Sequence, residues 1–203
     1  MPISDDEEME LYEAFLNDPD TRMIAPPTEG EPSVRVQQRG HWGDWQIWDG
    51  YLKASELLLR ECMKSQHDAK RLIFPALFNL RHAMEVALKF HIRYAGGTIP
   101  KGSQHDLDAL ADAFRKTAEG LDEEISYIRE EVLDHISEIA RFDPRSIAFR
   151  YSSNVDGTPV EIVDTDIGLI RLYFSLEHLE MYFYDLADQI ALSQDEEYRA
   201  SFK

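Results

Sequence analysis

Four side chains that could do chemistry lie close together in the middle of the chain: Arg81, His82, Glu85 and Lys89. Arg81, Glu85 and Lys89 are spaced i, i+4, i+8, and His82 stands three residues before Glu85, so a helix would carry all four on one face. Arginine and lysine can hold a phosphate group, and histidine exchanges protons near neutral pH. The set therefore indicates an anion site with a titratable neighbour.

The same spacing has two structural interpretations. Arg81, Glu85 and Lys89 could form an internal salt-bridge ladder that fixes how helices pack without catalysing anything, or the face could be partly exposed and have no role. The interpretations differ in an observable property. An anion site needs Arg81, His82 and Lys89 to be reachable by solvent, whereas a ladder needs them sealed and mutually paired.

The stretch that carries these residues, RLIFPALFNLRHAMEVALKFHIRY, predicts a helix over 71–94. Its apolar residues fall on nearly every side, which is typical of a helix surrounded by others. Pro75 is expected in the opening turn, where its missing N–H costs nothing. Gly96 and Gly97 should end the helix.

The chain around it predicts an all-α fold, a helical bundle of about five helices with a small β-hairpin before the last one. The runs SIAFRY and VEIV have β-type patterns, and NVDGTP between them is rich in turn residues. The three tryptophans, Trp42, Trp45 and Trp48, should share a helix face, either as an anchor for packing or as a stacking platform for bases. The helices are expected at about 45–67, 71–94, 106–119, 122–142 and 164–192.

The bundle predicts one domain over 33–195, between two tails. Residues 1–32 are acidic and rich in proline, with room for a short helix at about 5–15, and residues 196–203 should fray.

The net charge of −18 over 203 residues argues against binding of duplex DNA. The charge is uneven: residues 60–101 carry a net +5, whereas 1–59 carry −9 and 102–203 carry −14. This basic island could pair with the acidic helices around it. If the basic island formed a pocket, that pocket would favour binding of a small or confined anion.

Several classes of protein are disfavoured. No run approaches the roughly 18 apolar residues of a membrane helix, and the acidic N-terminus is unlike a signal peptide, so the cytoplasm is the simplest compartment.

The single cysteine, Cys62, excludes an internal disulfide and a metal–thiolate cluster. A di-iron bundle would show Glu-x-x-His on two helices, which this chain lacks. We therefore expect no metal and no cofactor.

Three strings together resemble HEPN-like bacterial proteins: NLRHAMEVALK over 79–89, His105-Asp106-Leu107 at a helix start, and Phe149-Arg150-Tyr151 with Asp156-Gly157 before a final helix. The resemblance covers about residues 45–192. It implies an all-helical domain that often forms a homodimer. It also implies a place in a toxin–antitoxin, abortive-infection or other defence module.

Active HEPN ribonucleases carry Arg-x4–6-His, which cuts RNA without metal by activating a 2′-hydroxyl. Chance alone would supply one or two such spacings in this chain, and none of its arginines at this spacing is followed by the Asn, Asp or His usual in the family. Arg129/His135 fits best, because Glu130 is polar and both residues sit in a helix. The spacing occurs at Arg35/His41, Arg60/His67, Arg129/His135 and Arg171/His178.

Two functions stay open. In the first, the protein is a metal-independent effector that acts on RNA or a nucleotide: Arg81 and Lys89 hold phosphate, His82 or His105 moves protons, and Arg150 neutralises developing charge. Glu85 and Tyr151 complete the expected ligand-binding set. In the second, the protein is a non-catalytic, dimeric helical module whose acidic surface meets a basic protein partner.

Overall fold

A computed structural model of the chain describes residues 4–17, 23–24, 33–36, 40–103, 105–121, 125–162 and 165–200. Residues 5, 41, 42 and 196–200 are described by their backbone alone. The chain divides into two compact units, 1–37 and 38–203. In the first unit, helix α1 spans Asp5–Asn17 and carries only acidic charges.

The described residues of the second unit form five helices, and the described part of the chain is all-α, as the sequence predicts. Within this part of the chain, no helix is both long enough and apolar enough to span a membrane. The helices are α2 (Gly40–Cys62), α3 (Gln66–Tyr94), α4 (Leu107–Ala118), α5 (Ser126–Phe142) and α6 (Leu169–Ala200).

Helix α3 is the central element, in contact with α2, α4, α5 and α6. It begins at Gln66, five residues before the predicted start, because the Ser65 hydroxyl accepts a hydrogen bond from the Asp68 N–H at 3.0 Å. Pro75 therefore lies in the helix interior and not in the opening turn. Leu80, Ala83, Leu88 and other apolar residues of α3 are buried in the core.

Aromatic side chains fill the space between α2, α3 and α6. Trp48 is fully buried and contacts Phe183, Tyr184 and His91, with ring centroids 5.4–6.1 Å apart. Trp45 packs edge-on against Trp48, which confirms the predicted packing of these two tryptophans. The side chain of Trp42 lies outside the described residues.

The predicted β-hairpin is not supported: the described residues contain no strand, and the segment has one isolated antiparallel bridge between Ser153 and Pro159. Asp156 closes a tight turn there by accepting hydrogen bonds from the Thr158 N–H and hydroxyl, at 3.0 and 2.7 Å. The segment is mostly exposed, with Val155 fully in solvent. An isolated two-stranded ribbon without an apolar face to bury is marginal in water.

Candidate functional site

An ion network on α3 begins at Arg81, whose guanidinium is buried at 1% exposure. It donates hydrogen bonds to three acceptors: the Asp143 carbonyl (2.9 Å), the His105 carbonyl (2.8 Å) and Glu85 Oε2 (3.2 Å). Two of the acceptors are main-chain groups from outside α3. Arg81 therefore ties α3 to the segments that precede α4 and follow α5.

Glu85 is the centre of the network. Its Oε1 accepts hydrogen bonds from Lys89 Nζ at 2.7 Å and from His105 Nδ1 at 3.1 Å, while Oε2 faces Arg81. Burial by itself would raise the pKa of this carboxyl, but the hydrogen bond and charge of Lys89, helped by His105, outweigh it and lower the pKa. The structure thus contains both ion pairs that the i, i+4 spacing predicts.

Exposure separates the two ends of this network. The Arg81 and Glu85 side chains are 1% and 3% exposed, so a ligand in solvent reaches neither. Lys89 is 18% exposed and His105 is 69% exposed. The buried end has the sealed, mutually paired geometry of a ladder, and within the network only the side chains of Lys89 and His105 reach solvent.

Asp143 fixes the chain on the far side of Arg81. Its Oδ1 accepts hydrogen bonds from the backbone N–H groups of Ile147 and Ala148, at 2.6 and 3.0 Å, while its carbonyl oxygen accepts from Arg81. Ser146 takes a φ of 56° within this turn. The turn after α5 is therefore stabilised by one buried carboxylate that sequence reasoning did not single out.

His82 belongs to a different cluster from Arg81. Its half-buried ring lies edge-on to Tyr51, with centroids 4.4 Å apart, and parallel to Phe78 at 6.0 Å. The Arg150 guanidinium lies 5.6 Å from the Phe78 centroid and 5.2 Å from that of Tyr151. Burial lowers the pKa of His82, and the positive charges of Lys89 and Arg81 act in the same direction against Glu85. The seven predicted site residues thus form two groups, an ion network and an aromatic–cation stack.

An open cleft of about 770 Å³ lies between α5 and α6 and was not predicted as a site. Its volume is within the ~300–1,000 Å³ typical of ligand pockets. Its apolar lining includes Leu80, Met84, Ile139 and Leu179. The polar and charged lining residues are Glu131, His135, Glu138, Arg171, Ser175 and His178.

Each helix of the cleft contributes a histidine that contacts the other helix. His135 Nε2 of α5 lies 3.4 Å from Ser175 Oγ of α6, and His178 Nδ1 of α6 lies 3.4 Å from Glu131 Oε1 of α5. Both histidines belong to Arg-x4–6-His spacings in the sequence. That spacing was the available signal, but the sequence could not show that two of the four histidines line one cleft.

The exposed side of α6 carries an apolar stripe formed by Ile170, Phe174, Met181 and Leu192. These side chains are 66%, 55%, 45% and 61% exposed. At about 100° per residue the four positions lie within roughly 40° of one another around the helix axis. Ile170 and Phe174 also line the cleft. Ile170 and Phe174 thus join the first part of the stripe to the apolar lining of the cleft.

The described residues contain no group of three or more His, Cys, Asp or Glu side chains that could hold a metal ion. The side chains in the two places offer hydrogen bonding, charge and proton exchange by histidine. Comparison with protein families, curated proteins and solved structures finds no match to this chain.

Proposed function

We propose that this chain is a HEPN-like helical interaction module that pairs with a second copy of itself through the apolar stripe of α6. The observation that carries the proposal is the stripe itself: Ile170, Phe174 and Met181 are each at least 45% exposed and lie in one line. Contiguous exposed apolar surface on a folded domain marks an interaction site.

A second copy suits this surface because a straight helical stripe is complementary to itself under a two-fold axis. From Ile170 to Met181 the stripe extends about 16 Å at 1.5 Å per residue. The cleft beside it could receive side chains from the partner helix on its apolar lining. The sealed Arg81–Glu85 pair supports a structural role for the α3 network, as a non-catalytic module requires.

Charge opposes this association, which gives the proposal a characteristic salt dependence. Each copy carries a net −18, and between Met181 and Leu192 the exposed Asp188 lies in line with the stripe and the exposed Asp185 lies beside it. Added salt screens repulsion between like charges but leaves apolar burial in place. We expect the dimer to tighten as ionic strength rises from 0.05 to 0.5 M.

Sedimentation equilibrium tests the pairing. We expect the wild-type protein to form dimers and Phe174→Asp to weaken them at least about 30-fold, the effect of losing a central apolar anchor. Tyr127→Asp is the matched control, because Tyr127 is an aromatic residue of α5 with 77% exposure. A monomeric wild-type protein, or equal effects of the two substitutions, would exclude this interface.

A second candidate, an effector that acts on RNA or a nucleotide, is favoured by the two histidines of the cleft. In this scheme one of His135 and His178 accepts the proton of a 2′-hydroxyl as its oxygen attacks the adjacent phosphorus. The other donates a proton to the 5′-oxygen that leaves. The exposed Arg171 lines the same cleft and would neutralise charge on the phosphoryl oxygens.

Cleavage of single-stranded RNA in EDTA tests this candidate. Wild-type protein is compared with His178→Ala and with Arg81→Ala and His82→Ala, and each variant's melting temperature is recorded. Activity lost in His178→Ala at an unchanged melting temperature would support the cleft. Activity lost in His82→Ala under the same condition would favour the sequence-predicted site instead. No cleavage by the wild-type protein would leave the interaction module as the function.

A further inference from the structure

One side of helix α1 is apolar and lies in solvent; we call it the α1 apolar side. It is formed by five side chains, each between 50% and 66% exposed: Met9, Leu11, Tyr12, Phe15 and Leu16. At about 100° per residue these positions fall within an arc of about 160° around the helix axis, over about 10 Å of its length. The rings of Tyr12 and Phe15 stack with their centroids 6.5 Å apart. The side is therefore one contiguous surface.

Every charged residue of α1 is acidic: the helix has six acidic residues and no basic residue in its 13 positions. By the same angular spacing, Glu7 and Glu13 lie about 40° beyond the two edges of the apolar side, and Glu10 lies behind it. Glu8 lies on the apolar side, at its N-terminal end. The unit that contains α1, residues 1–37, has ten acidic and two basic residues. An acidic border thus surrounds the apolar side.

Hydrogen bonds at both ends hold α1 in its helical form. The Ser4 hydroxyl accepts a hydrogen bond from the Glu7 N–H at 3.3 Å, and Glu7 Oε2 accepts from the Ser4 N–H and hydroxyl, each at 2.9 Å. This reciprocal arrangement is a capping box. At the other end, the Asn17 side-chain amide donates to the Glu13 carbonyl at 2.7 Å. A helix already formed loses less conformational entropy when it binds a partner.

Charge limits what can cover the α1 apolar side. A second copy of α1 would bring six further carboxylates to the same place, and the whole chain carries a net −18. Nucleic acid and anionic membrane surfaces are negative as well. A protein groove with an apolar floor and a rim of lysine or arginine complements both the apolar side and its acidic border.

We propose that α1 is a docking helix, which binds such an apolar, basic-rimmed groove on a partner protein. Tyr12, Phe15 and Leu16 fill the floor of the groove and supply most of the affinity. Glu7 and Glu13 face the cations on the two rims, where they select basic partners and speed association. The proposal is independent of the pairing through α6, which uses a different helix.

Fluorescence polarisation with two designed probes tests the proposal on the full chain. The first probe is a labelled helical hairpin, closed by a disulfide, with leucines along the groove between its helices and lysines along both rims. The second probe has glutamates in place of the lysines. We expect the lysine probe to bind at least about tenfold more tightly, with the difference shrinking in about 0.5 M salt. Equal binding of the two probes, or no binding of the lysine probe, would overturn the assignment.

Neutral substitutions locate the binding on α1 without changing its helix propensity or capping box. Phe15→Ala should weaken the lysine probe at least about tenfold. Tyr127→Ala, at an exposed aromatic residue of α5, is the matched control and should leave binding within about twofold. Equal effects of the two substitutions would refute docking through α1.

Charge variants test the acidic border. Glu7→Gln with Glu13→Gln should reduce the preference for lysine over glutamate at least about threefold, because both residues border the apolar side. Glu119→Gln with Glu161→Gln removes two exposed carboxylates outside α1 and should leave the preference unchanged. Equal effects of the two pairs would mean that the lysine probe senses only the net charge of the chain, which would contradict the proposal.

Two further measurements on Phe15→Ala decide against other occupants. In sedimentation equilibrium, a dimer that Phe15→Ala weakens and Phe174→Asp does not would make a second copy the occupant of the α1 apolar side and refute the proposal. A melting temperature lowered by more than about 3 °C would show that the chain's own residues cover this side, and would refute it too. We expect neither change.

Discussion

The ion network of α3 and the cleft between α5 and α6 both place a basic side chain against a glutamate, yet their surroundings differ. In the network, Arg81 and Glu85 are 1% and 3% exposed. In the cleft, the side chains of His178 and Glu131 are 48% and 53% exposed, although they lie 3.4 Å apart. The Arg81–Glu85 pair is therefore buried, whereas the His178–Glu131 pair is about half exposed to solvent.

The difference teaches that burial, more than residue type, decides what such a pair does. A charge removed from water must keep its partners, since leaving it alone is strongly unfavourable. A pair in water exchanges its partner for solvent at little cost. The buried network can therefore hold the bundle together, whereas the cleft can change its contacts when a ligand or partner arrives.

The largest expected effect follows from breaking the buried network. Arg81→Ala should lower the free energy of unfolding by about 3–5 kcal/mol, because it leaves the buried Glu85 short of a partner and removes the donor from two carbonyl oxygens, of which that of Asp143 is buried. Urea unfolding followed by circular dichroism measures the change. Arg93→Ala, on the same helix but at an exposed pair with Asp44, is the matched control and should cost less than about 1 kcal/mol. Equal losses would mean that the network does not act as a buried unit.

The next effect concerns His91, a fully buried histidine of α3 that contacts the carbonyl oxygens of Ala87 and Phe183 at 2.7 and 2.9 Å. Burial among aromatic rings lowers the pKa of His91 to about 4. As the pH falls from about 6.5, the ordinary histidine value, the unfolded chain takes up a proton that the folded chain refuses. Stability contributed by His91 is therefore present above pH 6.5 and lost as the pH falls towards 4.

The measurement is urea unfolding at several pH values between 6.5 and 4.5. We expect the free energy of unfolding to fall by up to about 1.4 kcal/mol per pH unit from this group. His82, whose pKa is also lowered, adds a loss of the same sign. His91→Gln should flatten the profile more than His82→Gln does. A profile unchanged by His91→Gln would show that His91 does not govern this pH range.

The smallest effect is expected in the cleft. His178→Ala should change the free energy of unfolding by less than about 0.5 kcal/mol, because the contact with Glu131 is half exposed and screened. The same urea titration detects it. A decrease in the free energy of unfolding of more than about 2 kcal/mol would mean that His178 contributes as much as a buried group, and the cleft would then not differ from the ion network.

The sequence predicted the helices well where apolar spacing and caps agree. Asp106 caps α4 by accepting a hydrogen bond from the Ala109 N–H, and that helix matches its prediction within one residue at each end. The break between α2 and α3 was misplaced. The Ser65 cap fixes the start of α3, whereas the apolar periodicity of the sequence alone continues across the break between the two helices. At the other end of the fold, α6 continues to Ala200, beyond the predicted end near residue 192.

For the candidate site, the sequence showed the ion pairs of Arg81, Glu85 and Lys89 because they lie within one helix. It could not show that Arg81 also binds the carbonyl groups of His105 and Asp143. Every residue carries a backbone carbonyl oxygen, so the residue types in the sequence do not indicate which of these oxygens accepts the hydrogen bond. Nor could spacing reveal that His135 and His178, on different helices, line the same cleft.

The acceptors of Arg81 have a consequence for the order in which the chain folds. They lie 24 and 62 residues away along the sequence, so each contact closes a long loop of chain. Contacts between distant segments form after local helices and their nearest neighbours have come together. The guanidinium would then reach its final partners late, once the bundle has assembled. Removing it should leave the folding rate almost unchanged and mainly accelerate unfolding, so that Arg81 sets how long the native state lasts.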